Sequence, residues 1–398
     1  MIILEALNAL AGDCLILRYP GPDGRERLWL IDGGPKTNNA KGITVWKDVL
    51  LPRLRQINPK VPIPIALGMV SHIDDDHING IQKITQRLRS ATPANPAPVK
   101  FQRFWFNSFD GIVGPKPQGL PIEAETASVQ SLVSTQNLPG VTDELAQAVM
   151  ESVSQGNDLA TDLRALKLEG NAPIGGLIEA KPGQPSLNID GAKVTILGPR
   201  KDRLEKLRQD WQKALKHPDK ATRQAALQEL FLPAGKQDKS VPNLSSIVVL
   251  VQIAKRTLLL TGDAHGDDIV AAWNELGLPR PAKVDLLKMP HHGSIRNCTR
   301  QFLEFFQANH YVFSADGKHD NPDPPAVEAL VKIHGHRSIV LHFTNEDVTW
   351  SKTYTLEKNG KKVKALKDLL AELEKAYGGA WSANTRQANA HSVTIKLT

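Results

Sequence analysis

Apolar residues recur along the chain in two patterns: short runs like those of buried strands, and a spacing of about three to four residues like that of helices. The N-terminal elements predicted on this basis are strands over 2–7, 13–19, 27–31 and 63–70 and helices over 44–57 and 78–88. Strands that give way to alternating helices and strands are typical of an α/β fold.

The same two patterns continue to the C-terminus. They predict strands over 187–197, 245–253, 257–260, 284–289, 311–314, 338–343 and 392–397, and helices over 267–276, 299–308, 326–333 and 363–377. The order suggests two similar halves, each with strands inside and helices outside. It therefore predicts a two-sheet sandwich covered by helices.

Two segments depart from this pattern. Residues 92–185 are rich in Pro and Gly around a strand over 99–106, with two or three short helical patterns between 122 and 168. We expect an insertion there that covers one side of the site described next. Residues 200–230 form a charged amphipathic pattern, broken at 217–218, which is more typical of a solvated surface than of a nucleic-acid-binding face.

One stretch carries an unusual density of metal-ligand side chains. His72-Ile-Asp-Asp-Asp-His77 holds two imidazoles and three carboxylates between a predicted strand and a predicted helix. At this spacing His72, Asp74 and Asp76 can point one way while His77 closes from the first helical turn, which suits two adjacent divalent ions. An Asp-rich helix N-terminus would explain Asp75 and Asp76 but neither histidine.

Three more predicted strands end in polar residues of the same kind. Asp32 precedes two glycines, Asp263 closes the run Leu-Thr-Gly-Asp, and His291 and His292 follow Lys288-Met-Pro. The carboxyl ends of strands in α/β proteins are where ligands bind. The four strand ends could therefore converge on one site.

With these motifs in this order, the chain resembles the metallo-β-lactamase superfamily, and within it the ComEC-like hydrolase branch. The shared motifs are Gly12-Asp13, Asp32-Gly-Gly, 72–77 with Asn79-Gly80, Pro242-Asn-Leu-Ser-Ser-Ile-Val, Thr261-Gly-Asp263, His291-His-Gly-Ser294, Ser314-Ala-Asp-Gly and Asn321-Pro-Asp323. The resemblance implies an αββα sandwich, with two mixed β-sheets flanked by helices. It places a hydrolase domain at 1–345, a helical insertion at about 92–185 and a helix-strand extension at 346–398 packed on the same domain.

The resemblance also implies roles for individual residues. Asp263 would be shared by both ions, Asp76, His77 and His292 would complete the shell of one ion, and His72 and Asp74 would hold the other. Asp76 and His291 are the expected catalytic residues, with His291 contacting the substrate or donating a proton. Asp32 would orient a ligand histidine by hydrogen bonding, unless it only forms a turn before the two glycines.

Two departures from the family pattern bear on the metals. Position 74 is Asp where the family usually has His, and the only histidine between His77 and Asp263 is His217, which we expect on the surface. The usual third-motif histidine is therefore absent. The second ion would have an oxygen-rich shell, which suits Mn²⁺ or Mg²⁺. We expect two divalent ions, Zn²⁺ or Mn²⁺, as cofactors.

Composition narrows the class of protein. The chain has 398 residues, 41% of them hydrophobic and 23% charged, with only two cysteines and a formal net charge of +7. No apolar run approaches the ~18 residues of a membrane helix, and the start lacks the features of a signal peptide. We therefore expect a cytoplasmic protein without a membrane partner, whose metal ligands are His and carboxylate. The positive charge mildly favours polyanionic partners.

These observations predict a metal-dependent hydrolase, most specifically a phosphodiesterase or nuclease that uses a metal-bridging hydroxide. The expected substrate contacts are Ser294, Asn243, Lys288, His319 and Asn321. Lys288 could instead be a surface cation at a strand end. Two other functions remain open: hydrolysis of a lactone, amide or thioester, and a non-catalytic scaffold with a degraded metal site.

Overall fold

Two large β-sheets lie face to face in the computed structural model, which describes residues 1–36, 42–108, 111–112, 143–216, 222 and 241–398. Helices cover the outer face of each sheet. The mixed α/β character and the presence of several sheets are thus as predicted.

The first sheet has six strands. They are β1 Ile2–Leu7, β2 Leu15–Pro20, β3 Glu26–Ile31, β5 Leu67–Val70, β7 Phe104–Phe106 and β18 Ser392–Leu397. Their order across the sheet is β18-β1-β2-β3-β5-β7. β3, β5 and β7 run parallel to one another, whereas the other neighbours are antiparallel, so the sheet is mixed.

The second sheet has eight strands. They are β8 Leu187–Ile189, β9 Ala192–Gly198, β10 Val248–Ile253, β11 Arg256–Leu260, β12 Ala282–Lys288, β13 Phe306–Phe313, β14 Val340–Phe343 and β17 Ser382–Thr385. Their order across the sheet is β17-β14-β13-β12-β11-β10-β9-β8. Pairing is parallel from β11 to β17 and antiparallel from β8 to β11. Two short two-stranded sheets are formed by β4 Ile63–Ile65 with β6 Val99–Phe101, and by β15 Thr349–Thr355 with β16 Lys362–Ala365.

The main core lies between the two sheets. Leu17 and Trp29 from the first sheet and Val251 and Leu286 from the second belong to one buried cluster. Because successive side chains of a strand point to opposite faces, neighbouring residues such as Leu30 pack outward instead. This alternation leaves an apolar outer face on each sheet for helices to cover.

The helices form two outer layers. Over the first sheet lie a π-helical turn Val45–Leu50 that continues into α1 Leu51–Ile57, then α2 Asp75–Arg89, α3 Asp143–Ala165 and α4 Lys201–Leu215. Over the second lie α6 Gly266–Glu275, α7 Arg300–Phe305, α8 Pro324–His334 and α9 Leu366–Tyr377, and a short helix, α5, spans Val241–Leu244. Within the described ranges, none of the helices has both the length and the hydrophobicity needed to cross a membrane.

Several predicted elements differ in detail. The predicted helix over 299–308 ends at Phe305, because Phe306 adopts an extended conformation and pairs with Ala282 in the second sheet. The predicted strands over 63–70 and 99–106 are each divided in two, since β4 and β6 pair separately from the large sheet. Where short helices were expected, α3 is a single helix of 23 residues. Residues 113–142 and the break at 217–218 lie outside the described residues.

The last fifty or so residues contribute a strand to each large sheet. β17 pairs with β14 at one edge of the second sheet, and β18 pairs with β1 at one edge of the first. Val393, Ile395 and Leu397 of β18 are buried in the core between the sheets. The C-terminal segment is thus part of both layers.

Candidate metal centre

Side chains capable of binding metal meet at one edge of the two sheets. In the first sheet Asp32 follows β3 and the 71–77 loop follows β5, and these two strands are parallel neighbours. In the second sheet Asp263 follows β11, and His291 and His292 follow β12, again parallel neighbours. Carboxyl ends of parallel strands share one edge of a sheet, so both pairs of loops open on the same crevice.

Four side chains enclose a first position. His77 Nε2 and His292 Nε2 lie 3.3 Å apart, and Asp263 places Oδ1 3.4 Å from His77 Nε2 and Oδ2 3.4 Å from His292 Nε2. Asp76 lies 3.2 Å from His292 Nε2 and 3.8 Å from His77 Nε2. Ligands of a tetrahedral ion with bonds of about 2.1 Å are separated by roughly 3.4 Å. The four side chains therefore have the spacing of one metal shell.

A second group borders the first through Asp263. His72 Nε2 lies 3.5 Å from Asp74 Oδ2 and 4.0 Å from Asp263 Oδ2. His291 Nε2 lies 3.7 Å from the same Asp263 oxygen. The side chain of Asp74 is partly exposed, whereas those of His72 and Asp263 are buried. Asp263 is thus placed between two sets of potential ligands.

Hydrogen bonds behind the rings hold the histidines in place. His77 Nδ1 donates to Asp32 Oδ2 over 3.0 Å, and Ser71 Oγ donates to the same oxygen over 2.8 Å. Ser71 Oγ in turn accepts from His72 Nδ1 over 3.1 Å. With hydrogen on Nδ1, the Nε2 lone pair of each ring faces the cluster, as a metal ligand requires. The sequence indicated Asp32 for this position but not Ser71.

Asp13 is a site residue that the sequence did not single out by role. Its Oδ1 lies 3.6 Å from His292 Nδ1 and its Oδ2 lies 3.8 Å from His77 Nδ1. Asp13 belongs to the buried group of potential ligands with His77, Asp263 and His292. However, it lies behind the two rings, on the side away from their Nε2 atoms. The sequence feature that could have indicated this role is the Gly12-Asp13 motif. It lies in the loop between β1 and β2, at the same edge of the sheet as Asp32.

Lys288 is fully buried, so its interpretation as a surface cation is wrong. Its ammonium group forms an ion pair with Asp13 and lies 3.9 Å from Asp263 Oδ1. It also donates a hydrogen bond to the Gly262 carbonyl over 3.4 Å. Burial of an ammonium group is tolerated here because these carboxylates surround it, which raises the pKa of Lys288 although burial alone would lower it.

The carboxylates give the cluster a strong preference for positive charge. Burial alone would lower the pKa of His77 and His292, but Asp263 and the neighbouring aspartates outweigh burial and raise both values well above the usual range. Burial alone would likewise raise the pKa of Asp263, but His292 and His77 hold it well below the usual range. The centre thus attracts cations, either protons or metal ions.

The donor set fits divalent metal ions. Within the described part of the chain, the buried atoms His72 Nε2 and Asp263 Oδ1 have no hydrogen-bond partner, and both face the cluster. The carboxylates around the centre are those of Asp13, Asp32, Asp74, Asp76 and Asp263. Lys288 offsets only one of these five charges, and two divalent ions would offset the other four. The cluster can therefore bind metal ions.

The loop with the paired histidines has a strained backbone. His291 has φ 45° and His292 has φ 56°, in the left-handed region that non-glycine residues rarely adopt. The loop is held by hydrogen bonds from His291 N to the Gly262 carbonyl and from Ser294 N to the His291 carbonyl. Gly293 follows at φ 90°, where a Cβ would overlap the ring of Phe313. The conformation turns both imidazoles toward Asp263.

The expected substrate contacts lie around this loop. Asn243 Nδ2 is 3.3 Å from His291 Nδ1, and Asn321 Nδ2 donates to the His291 carbonyl over 3.4 Å. Ser294 is buried, with its hydroxyl 3.5 Å from Asp323. His319 is exposed but interacts electrostatically with the cluster, and partial burial together with Lys318 lowers its pKa. Of the expected contacts, His319 is the one placed openly at the edge of the cluster.

The helix of the expected insertion packs directly on the metal-ligand helix. Gln155 of α3 donates to Asp75 Oδ1 over 2.8 Å, and Asp162 of α3 accepts from Thr85 and Arg89 of α2, each over 2.7 Å. Asp75 is therefore engaged by α3 rather than by the cluster. α3 supports the start of α2, where Asp76 and His77 are located.

Comparisons with known proteins add little to this description. No family model matches the chain, and no curated protein matches it either. Among solved structures the chain is similar to a mutant of CmlA beta-hydroxylase, with 13% sequence identity and a TM-score of 0.39. The alignment covers 100% of this chain and 54% of that chain, so this chain spans about half the length of that protein. A similarity this weak carries no conclusion about fold or activity.

Proposed function

We propose that this protein is a hydrolase with two divalent metal ions and a metallo-β-lactamase-type αββα fold, and that its substrate is a phosphodiester. The observation that supports it most is the convergence of His77, His292, Asp76 and Asp263 at ligand-to-ligand distances of 3.2–3.8 Å. The motifs shared with the ComEC-like branch point to the same class.

Each residue near the ions has a distinct task in this proposal. Asp263 and Asp76 would bind metal through carboxylate oxygens, His77, His292 and His72 would bind through Nε2, and Asp74 would supply a partly exposed oxygen. Two divalent ions at such a site supply an activated water and stabilise the charge that develops on the attacked group. Asp32 and Ser71 keep the rings oriented, and Lys288 balances charge beneath them.

Two features favour a phosphodiester over a neutral acyl substrate. The chain carries a net charge of +7, which attracts polyanions. Lys318 and His319 are exposed in the loop at the edge of the cluster, where they can meet an anionic substrate. Asn321 in the same loop donates a hydrogen bond to the His291 carbonyl, and this contact holds the loop next to the cluster.

The proposal is tested by removing metal with a chelator, restoring Mn²⁺ or Zn²⁺, and assaying a bis-aryl phosphodiester, single-stranded DNA and RNA. A lactone, an amide and a thioester are assayed in parallel. We expect metal-dependent cleavage of phosphodiesters that falls at least about a hundredfold in Asp263→Ala. Asp202→Asn, which changes an exposed carboxylate on α4, serves as the matched control and should retain the rate.

The outcomes separate the alternatives. Equal rates for wild type and Asp263→Ala would refute metal hydrolysis at this site. Cleavage of the lactone, amide or thioester alone would keep the metal centre and change the substrate class. A purified protein that binds no stoichiometric metal would favour the scaffold function, since a scaffold need not retain ions.

A further inference from the structure

The Nδ1 side of His291 is contacted by the amide side chains of Asn297 and Asn243. Asn297 is fully buried, and its Nδ2 donates to the Asp263 carbonyl over 3.0 Å. This contact fixes the amide so that Asn297 Oδ1 faces His291 Nδ1, 3.1 Å away. Asn243 Nδ2 lies 3.3 Å from the same ring nitrogen, so two amide side chains contact the Nδ1 side of the ring. The opposite ring nitrogen, Nε2, is turned toward the cluster.

The Nε2 atom of His291 faces a carboxylate. It lies 3.7 Å from Asp263 Oδ2, the oxygen that also lies 4.0 Å from His72 Nε2. An unprotonated Nε2 and a carboxylate oxygen at this distance repel each other, whereas a metal ion between them would bind both. Two ligands of one ion with bonds of about 2.1 Å can be at most about 4.2 Å apart. Both distances are within that limit.

We infer that His291 is a ligand of the second ion, together with His72, Asp74 and Asp263. This inference rests on the proposed two-metal function. It gives the second ion an imidazole in place of the third-motif histidine that the sequence between His77 and Asp263 lacks. It replaces the expectation that His291 contacts the substrate or donates a proton.

The backbone of the loop agrees with this role. If only His292 were a ligand, one residue would need the unusual conformation that turns its ring to the cluster. Instead, both His291 and His292 are in the left-handed region, which non-glycine residues rarely adopt. Strain at two consecutive positions is explained when both rings bind metal.

The test uses a substitution that the backbone favours. In His291→Gly the left-handed conformation is available without strain, so the fold is retained while the ring is removed. The variant and wild type are stripped of metal, titrated with Co²⁺, and followed by metal analysis and by the Co²⁺ absorption spectrum. We expect two ions in wild type, and in His291→Gly a second ion bound at least about tenfold more weakly. Added imidazole should restore its binding.

The control is His336→Ala, since His336 is an exposed histidine just after α8, and this variant should bind two ions like wild type. If His291→Gly fails to fold, His291→Asn takes its place, because Asn tolerates the left-handed region. Retention of two tightly bound ions with an unchanged Co²⁺ spectrum in either variant would overturn the inference and leave the proposed function intact. A wild-type protein that binds no Co²⁺ would instead overturn the proposed function.

Discussion

The individual residues of the centre are arranged in an inner and an outer ring of contacts. Nε2 atoms and carboxylate oxygens face inward, while Asp32, Ser71 and Asp13 contact or face the Nδ1 side of the histidines. An imidazole that donates from Nδ1 to a carboxylate is oriented and made more basic at Nε2. Metal affinity is therefore expected to depend on residues that never touch the metal.

Asp32→Asn tests this dependence. The amide keeps the shape of the side chain but weakens the hydrogen bond from His77 Nδ1, so metal affinity should fall by about 10–100-fold. Competition with a chelator measures the affinity. Asp285→Asn, a change at a partly buried aspartate on β12 paired with Arg256, is the comparison and should leave metal affinity unchanged. Equal affinities for Asp32→Asn and wild type would mean that Asp32 only forms the turn.

The charges of the centre also predict a dependence on pH. The pKa values of His77 and His292 are raised in the folded protein above the usual 6.5. Their contribution to the stability of the metal-free protein is therefore complete below about pH 6.5 and is lost as pH rises through the folded values. We expect the melting temperature of the metal-free protein to fall as pH rises above about 6.5, and that of the metal-loaded protein to fall less. Calorimetry in both states measures this, and a flat metal-free profile would contradict it.

At the scale of elements, the site depends on close contact between loops from different strands. Asp13 N donates to the Asp76 carbonyl over 3.1 Å, and Gly33 N donates to the His77 carbonyl over 2.6 Å. These bonds tie the β1–β2 and β3 loops to the first turn of α2. The approach is possible because Gly12 has no side chain, since a Cβ there would overlap the Asp76 backbone.

Gly12→Ala is therefore expected to push the first turn of α2 away and to weaken metal binding by about tenfold or more, with a loss of stability of about 1–3 kcal/mol. Metal titration and thermal unfolding measure the two effects. Gly24→Ala is a suitable comparison, because Gly24 has open space around it and its effect should be confined to backbone strain in the β2–β3 turn. Normal metal affinity in Gly12→Ala would show that the contact does not position Asp76.

At the scale of the whole molecule, the first and last strands of the chain pair with each other in the first sheet. β18 pairs with β1, and Ser392 donates a hydrogen bond to the buried Glu5 carboxylate over 3.1 Å. Glu5 also accepts from Arg18 and Arg53. The C-terminal segment thus adds the edge strand of the first sheet and contributes side chains to the core between the two sheets. Asp32 and the 71–77 loop follow strands of this same sheet.

Ile395→Ala tests whether this segment contributes to global stability. Ile395 is buried between the sheets, so the substitution should cost about 2–5 kcal/mol in the free energy of unfolding. Lys396→Ala, at the exposed neighbour on the same strand, should change it by less than about 0.5 kcal/mol. Denaturant unfolding measures both. A loss of less than about 0.5 kcal/mol in the free energy of unfolding for Ile395→Ala would mean that β18 contributes little to global stability.

Local pattern was sufficient for much of the fold. Strands such as Ile2–Leu7 and helices such as α2 were predicted because their apolar periodicity is set by neighbours in sequence. The pairing of β17 with β14 and of β18 with β1 could not be predicted in this way, since it depends on residues far apart in sequence. The end of α7 at Phe305 was missed for the same reason, because pairing with β12 overrides the helical pattern.

The sequence by itself determined the chemical kind of the site: imidazoles and carboxylates at strand ends, without cysteine, in an α/β chain. Only the tertiary structure decided that Asp13 lies behind His292, that Lys288 is buried beneath the cluster, and that Asn297 contacts the Nδ1 side of His291. The physical reason is that the type of donor is a property of one residue, whereas its orientation, burial and charge balance arise from contacts between strands that the sequence separates widely.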